Sequence, residues 1–192
     1  MNKEQLIALF QNRKLKIAFD TNALFNVTRF FNICDTIDRL NKEFQFEFKI
    51  IIPTLAHFEK LYDLRQEKQE QYCYQQIMDI LEEKQVHIMS FEPIHAEAVA
   101  ELLYTRYPTK EKWLQAKIER CANCLATERE IPIGKNTKCS ATIDWLIAGY
   151  AVAESCLLIT CDGGIEFERD VNKKTTLEIF EQAIRELWVD KI

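Results

Sequence analysis

The sequence predicts an α/β fold with a doubly wound, mainly parallel sheet flanked by helices. Short apolar runs, each long enough for one strand, alternate with segments whose apolar residues recur at helical spacing. Because these runs are apolar almost throughout, they indicate strands that are buried on both faces, as in a parallel sheet. The 192 residues suffice for one ordinary domain and are too few for two.

Four strands are predicted, at residues 15–19, 46–52, 86–89 and 157–160. Pro53 ends the second strand because it has no N–H for the ladder, and Thr54 is the expected cap of the helix that follows. Thr175 and Glu178 form a capping-box pattern that opens the last helix. The predicted helices cover residues 3–10, 22–31, 54–81, 94–104, 111–125, 141–153 and 175–188.

Composition limits the class of protein. The hydrophobic fraction of 47%, with only 4 Gly and 4 Pro, is typical of a globular chain. The sequence has neither a signal-peptide pattern nor an apolar run of about 18 residues, so we expect a cytoplasmic protein without a membrane span. The net charge of −5 is a poor match to a broad basic face, so any affinity for nucleic acid must come from metal ions and local cations.

Cysteines and histidines do not form a metal-binding pattern. The 7 cysteines are scattered, and the close pair Cys121 and Cys124, even with Cys139, lacks a fourth zinc ligand at matching spacing. Reduced, partly buried thiols are therefore the preferred interpretation. The three histidines are interpreted as surface or structural residues: His57, His87 and His95.

Four acids fall near the predicted carboxyl ends of the strands. Asp20 directly follows the first strand, and Asp162 follows the last strand after Cys161. Glu59 lies early in the helix after the second strand, and Asp144 lies near the start of the helix before the last strand. In sheets of this kind the working site lies beyond the carboxyl ends of the strands, so we expect the four acids to meet at one edge.

Crowded carboxylates repel one another, and a divalent cation relieves that repulsion. Oxygen ligands select Mg²⁺ or Mn²⁺, which can polarise a phosphate and activate a water. The pattern therefore predicts metal-dependent hydrolysis of phosphodiester bonds. Each acid alone is more often a turn former or a helix cap, so the prediction depends on the coincidence of all four. Replacing Asp20 or Asp144 by Asn is expected to leave folding nearly intact and to abolish cleavage.

Two segments carry a family resemblance. Ile17-Ala18-Phe19-Asp20-Thr21-Asn22 resembles the opening strand and first acidic motif of the PIN-domain family of ribonucleases. The helix that begins at Asp144, followed by the strand that ends in Thr160-Cys161-Asp162, is similar to the second half of that family, and Phe167 falls where the family often has an aromatic residue. The specific motifs cover residues 17–26 and 142–167.

The resemblance implies a PIN-like three-layer fold over residues 1–192, with a helical, charged insertion at about 65–135. It implies an endoribonuclease that cleaves single-stranded RNA with Mg²⁺ or Mn²⁺. Many bacterial members are toxins, usually homodimeric, that an antitoxin protein holds inactive. The implied metal ligands and catalytic acids are Asp20, Glu59, Asp144 and Asp162. Asn22 and Thr160 would support these carboxylates by hydrogen bonds.

Other interpretations stay open. A phosphatase of the haloacid-dehalogenase type also has an Asp after its first strand, but it needs a second Asp where this chain has Asn22. A non-catalytic PIN-like adaptor that binds RNA or protein has no reason to keep four like charges together. Cations in the charged region, with Tyr104, Tyr107 and Trp113 nearby, could hold RNA, although a solvated helix with core aromatic residues is the more common arrangement.

Overall fold

A parallel sheet of five strands forms the centre of the protein. The structure is a computed structural model, and it describes residues 1–118, 141–161 and 173–189. The strand order is β3-β2-β1-β4-β5, and each neighbouring pair is parallel. The strands are β1 (Lys14–Phe19), β2 (Glu47–Pro53), β3 (Val86–Met89), β4 (Leu157–Ile159) and β5 (Lys174–Thr175). The predicted α/β class with a parallel sheet is confirmed.

Helices connect the strands and cover the sheet. They are α1 (Lys3–Phe10), α2 (Val27–Phe44), α3 (Thr54–Lys68), α4 (Tyr74–Glu83), α5 (Pro93–Arg106), α6 (110–118), α7 (Ala141–Ala153) and α8 (Leu177–Val189). Among the described helices, all are too short or too polar to cross a lipid bilayer. The charged region at about 65–135 contains β3 and α5, so part of it belongs to the sheet and its covering layer.

One face of the sheet is covered by α1, α2 and α8. Phe19 of β1 packs edge-on against Phe30 of α2, with ring centroids 4.9 Å apart, and against Phe180 of α8 at 6.2 Å. Phe10 of α1 lies 5.4 Å from Phe48 of β2 on the same face. Burying each of these rings stabilises the fold by about 1.5–3 kcal/mol.

The opposite face is covered by α5 and α7, which gives three layers. Side chains alternate along a strand, so Lys16 leaves β1 on the face opposite to Phe19. Its ammonium pairs at 2.5 Å with Glu154, the residue that directly follows α7. Helices α5 and α7 pack closely because Gly149 has no Cβ: an added Cβ would lie 2.2 Å from Val99 Cγ2.

The predicted helix over residues 54–81 is wrong in two respects. Helix α3 ends at Lys68, and a turn at Gln69–Gln71 separates it from α4. The intervening polar residues are exposed and bury no apolar stripe, so nothing stabilises a continuous helix there. Thr54 is not a cap: Pro53 is the N-cap residue, and the Thr54 hydroxyl donates instead to Met89 O at 2.6 Å.

The predicted helix over residues 22–31 is divided. A 3-10 turn at Thr21–Leu24 is followed by α2, which begins only at Val27. The Asn26 side chain caps α2 by accepting from Arg29 N at 3.0 Å, and this capping bond fixes the break.

The start of the last helix also differs from the prediction. Thr176, not Thr175, accepts from the N–H of Ile179 in the first turn of α8 (3.3 Å). Thr175 belongs to β5, a strand of two residues that is too short to produce a recognisable pattern.

Candidate active site

The winding of the sheet reverses between β1 and β4. From β1 the chain moves outward through β2 to β3, and it then returns to build β4 and β5 on the other side of β1. In open parallel sheets, ligands bind beyond the carboxyl ends of the two strands that flank such a reversal. Asp20 directly follows β1, and Thr160 directly follows β4. The topology therefore places these two residues at the expected ligand site.

Asp20 accepts hydrogen bonds from Thr21, Asn22 and Thr160 in the part of the chain that the structure describes. The residue is only 2% exposed. Oδ1 accepts from the N–H of Thr21 at 2.7 Å, and Oδ2 accepts from Asn22 Nδ2 at 2.8 Å and from Thr160 Oγ1 at 2.7 Å. Such bonds offset the large free-energy cost of moving a carboxylate out of water, and they fix its orientation. Both residues expected to support Asp20 thus donate to it.

Thr21 links Asp20 to Glu59. Its backbone N–H donates to Asp20, and its hydroxyl donates to Glu59 Oε2 at 2.5 Å. Glu59 lies in the first half of α3, which packs against the 3-10 turn that follows Asp20. The contact therefore joins the carboxyl end of β1 to the helix that follows β2. Thr21 was missed at the sequence level, although it lies between two residues that were singled out.

Asn22 ties together the segments that follow β1 and β4. Its Oδ1 accepts from the N–H of Cys161 at 2.8 Å, so its Nδ2 must be the atom that faces Asp20 and Thr160. An aspartate at this position could not donate to Asp20. This geometry is unfavourable to the phosphatase interpretation, which needs a second acid at this position.

Asp144 lies in the first turn of α7 and is 5% exposed. The contact between Lys16 and Glu154 fixes the other end of this helix beside the start of β1. Asp144 comes ten residues before Glu154, about 15 Å along a helix. Asp20 comes four residues after Lys16, about 13 Å along a strand. Because α7 leads into β4, which is parallel to β1, the helix runs opposite to β1, and these two lengths put both acids at similar distances from this contact along the strand direction.

Asp20 also points toward the layer that holds Asp144. Its backbone is extended (φ −77°, ψ 162°), so it continues the alternation of β1 and shares the face of Lys16. That face is covered by α7, and α7 in turn contacts α3, the helix of Glu59. The structure thus brings Asp20 and Glu59 together through Thr21, and the lengths of α7 and β1 put the first turn of α7, with Asp144, toward the same edge of the sheet.

The oxygen ligands of Asp20, Glu59 and Asp144 are of the kind that suits Mg²⁺ or Mn²⁺. Among residues 1–118, 141–161 and 173–189, no three Asp, Glu, His or Cys side chains are grouped closely enough to hold a metal ion. Asp162, the fourth predicted ligand, lies outside the described residues, as do Phe167, Cys121, Cys124 and Cys139. The metal site therefore stays a prediction.

The histidines lie apart from this hydrogen-bond network. His57 and His95 are buried, at 8% and 3% exposure, and His87 is exposed. Burial lowers the pKa of His57, which favours its neutral form. His95 Nδ1 accepts from the N–H of Glu92, and its Nε2 lies 3.1 Å from Glu154 Oε1. These contacts give His95 a role in holding α5 against the end of α7.

No protein-family model and no curated protein matches this chain. The resemblance of residues 17–26 and 142–167 to the PIN-domain family therefore stays a prediction.

Proposed function

We propose that this protein is a Mg²⁺- or Mn²⁺-dependent endoribonuclease that hydrolyses phosphodiester bonds of single-stranded RNA in the cytoplasm. One observation carries the proposal. Among the acidic residues that the structure describes, only Asp20 and Asp144 are buried, and the lengths of β1 and α7 put both toward the carboxyl edge of the sheet. Two buried carboxylates toward one ligand-binding edge supply the hard oxygen ligands that Mg²⁺ and Mn²⁺ prefer.

The proposed roles follow from the contacts. Asp20, Glu59, Asp144 and Asp162 would hold the ion, which when bound would polarise the scissile phosphate and activate the attacking water. Asn22 and Thr160 keep the Asp20 carboxylate in one orientation, and Thr21 aligns Glu59 with it. No side-chain nucleophile is needed for this reaction.

The choice of RNA as substrate rests on the resemblance of the two motif segments to PIN-domain ribonucleases. The same resemblance is the support for a toxin that pairs with an antitoxin protein and forms a homodimer. The substrate and the partner can be tested separately from the metal-dependent chemistry. The four acids would hold the ion in the same way whichever polynucleotide is cleaved and whichever protein partner is bound.

The test is cleavage of a single-stranded RNA that carries a fluorophore and a quencher, with Mg²⁺, with Mn²⁺ and with EDTA. We expect Asp144→Asn and Glu59→Gln to lower the rate at least about 100-fold, since even supporting residues of metal sites are worth about 10–100-fold. Asp35→Asn is the matched control, because Asp35 pairs with Lys84 away from the site. Full activity in both site variants, or cleavage that persists in EDTA, would reject the proposal.

A second candidate is a non-catalytic adaptor that binds RNA or a protein. It is favoured by the finding that the described acids do not form a group of three potential ligands. Calorimetric titration with Mn²⁺ separates the two candidates. An adaptor would bind RNA without cleavage and give no heat of metal binding, whereas the nuclease would bind the ion and lose that heat in Asp144→Asn.

A further inference from the structure

An exposed aromatic ring lies next to the Asp20 turn. Phe25 follows the 3-10 turn Thr21–Leu24, and its backbone N–H donates to Asn22 O at 3.4 Å. Its side chain is 59% exposed, which is unusual for a phenyl ring. Lys60 Nζ lies 5.0 Å from the ring centroid, and Lys60 is the neighbour of Glu59. A lysine and an open ring thus stand together beside two of the proposed ligands.

A second pair of the same kind adjoins Asp144. Trp113 of α6 is partly exposed, and Lys117 Nζ lies 5.5 Å from its ring centroid. Trp113 packs edge-on against Trp145 at 6.5 Å and lies 5.2 Å from Tyr107. Trp145 is 1% exposed and directly follows Asp144. The partly exposed indole is therefore anchored on a buried residue next to a proposed ligand.

The segment that contains the second pair, residues 106–118, has a net charge opposite in sign to that of the whole chain. The chain carries a net charge of −5. Residues 106–118 contain one acid, Glu111, and four cations: Arg106, Lys110, Lys112 and Lys117. A polyanion is repelled by the average surface and attracted here, so the charge pattern favours a nucleic acid at this position.

We propose that Phe25 and Trp113 are stacking positions for bases of a single-stranded polynucleotide, with Lys60 and Lys117 contacting its phosphates on either side of the acidic site. Aromatic rings beside cations match the alternation of base and phosphate in such a strand. A duplex keeps its bases stacked on one another, so it would not fit in this way. This inference rests on the proposed function of the site and adds the groups that hold the substrate.

The test is fluorescence anisotropy of a short labelled oligonucleotide in EDTA, which separates binding from metal-dependent cleavage. We expect Phe25→Leu and Trp113→Leu each to weaken binding about tenfold, because loss of one base–aromatic stack is worth about that much. Lys60→Gln and Lys117→Gln should each reduce the slope of log K against log salt by about 0.7, the value for one phosphate contact on a single strand.

Matched controls come from a third lysine–ring pair. Lys84 Nζ lies 5.9 Å from the ring of Phe31 in α2, which covers the face opposite to α7. Phe31→Leu and Lys84→Gln should leave oligonucleotide binding unchanged. Trp113→Tyr keeps an aromatic ring and should bind nearly as tightly as the wild type, which distinguishes stacking from a general loss of structure.

The affinities for four kinds of oligonucleotide distinguish the outcomes. Single-stranded RNA and single-stranded DNA of one sequence identify the sugar preference, while a duplex and an abasic strand should both bind weakly. Equal binding of the abasic strand, or wild-type affinity in both leucine variants, would overturn the stacking positions and leave the nuclease proposal standing. A protein that binds as expected but never cleaves would contradict the nuclease and support these positions.

Discussion

Thr160 donates its hydroxyl hydrogen to Asp20 Oδ2 across 2.7 Å, and these two residues follow the two strands between which the sheet reverses its winding. The bond joins residues that are 140 positions apart in the sequence. The bond therefore forms only when the two halves of the sheet are assembled.

Replacing Thr160 by Val removes this donor while nearly conserving the shape of the side chain. We expect a loss of about 1.5–3 kcal/mol in the free energy of unfolding, the usual range for a hydrogen bond to a charged group. If the proposed metal site exists, affinity for Mn²⁺ should fall about 10–100-fold. Urea unfolding and calorimetry measure the two effects. Thr160→Ser, which keeps the hydroxyl, should show neither, and equal losses in both variants would contradict this role.

Replacing Asp20 by Asn should destabilise the protein, in contrast to the expectation from the sequence. The carboxylate accepts three donors, whereas an amide has only one oxygen and would turn an NH₂ group toward another donor. The expected cost is about 1–3 kcal/mol per unsatisfied donor. Urea unfolding measures it. A variant as stable as the wild type would show that Asp20 does not bind these three donors.

Replacing Asn22 by Asp should be disruptive in a pH-dependent way. The new carboxylate would face Asp20 Oδ2, to which Asn22 now donates at 2.8 Å, and would repel it. We expect reduced stability at neutral pH that partly recovers when acid protonates one of the two carboxyls. Thermal unfolding of the wild type and the variant across the acid range measures the difference. A stability difference that is constant with pH would argue against like-charge repulsion.

Replacing Gly149 by Ala should force α5 and α7 apart. The added Cβ would meet Val99 Cγ2 at 2.2 Å and the Val99 backbone N at 2.9 Å. Overpacking of this kind costs about 1–3 kcal/mol. Combining it with Val99→Ala removes the side-chain clash but not the backbone clash, so the double variant should recover stability only in part. Full recovery would mean that the backbone approach is not limiting.

The ion pair between Lys16 and Glu154 predicts a specific acid dependence of stability. Hydrogen bonds from Lys16 and then from His95 lower the pKa of Glu154 below its ordinary value of 4.5. A lowered folded-state pKa contributes stability above the ordinary value, and this is lost as pH falls through the folded value. Glu154→Gln should therefore flatten the acid limb of the stability curve.

The same pair acts in the opposite direction at high pH. Its bond to Glu154 raises the pKa of Lys16 above 10.5, so that contribution is present below the ordinary lysine value and is lost as pH rises through the folded value. Urea unfolding across both limbs measures these slopes. Glu47→Gln is the control, because Glu47 pairs with Lys14 on an exposed surface and should change neither limb appreciably. Unchanged limbs in Glu154→Gln would contradict the assignment.

The central strands and the position of Asp20 could be predicted because local pattern and burial agree there. Residues 17–19 and the whole of β4 are fully buried, as uninterrupted apolar runs in a parallel sheet should be. An acid directly after such a strand has nowhere to lie except the carboxyl edge. Helices α5 and α7 were likewise predicted, α7 because its sequence is rich in Ala, Ile and Leu.

The remaining features depend on tertiary contacts that no local pattern contains. Thr54 is bonded to Met89 rather than capping α3, because β3 ends beside it. Thr21 bonds to Glu59 only because α3 docks on the turn after β1. Strand β5 consists of two residues and is defined by its partner β4 rather than by its own sequence.

The side-chain amide of Asn22 donates to Asp20, which follows β1, and accepts from the backbone N–H of Cys161, which lies 139 positions later in the chain. The bonds of Asp20 and Asn22 to Thr160 and Cys161 can therefore form only once the chain has been synthesised past β4. For an enzyme of the proposed kind, activity would therefore begin only after β4 and the residues that follow it have been synthesised and have folded onto β1.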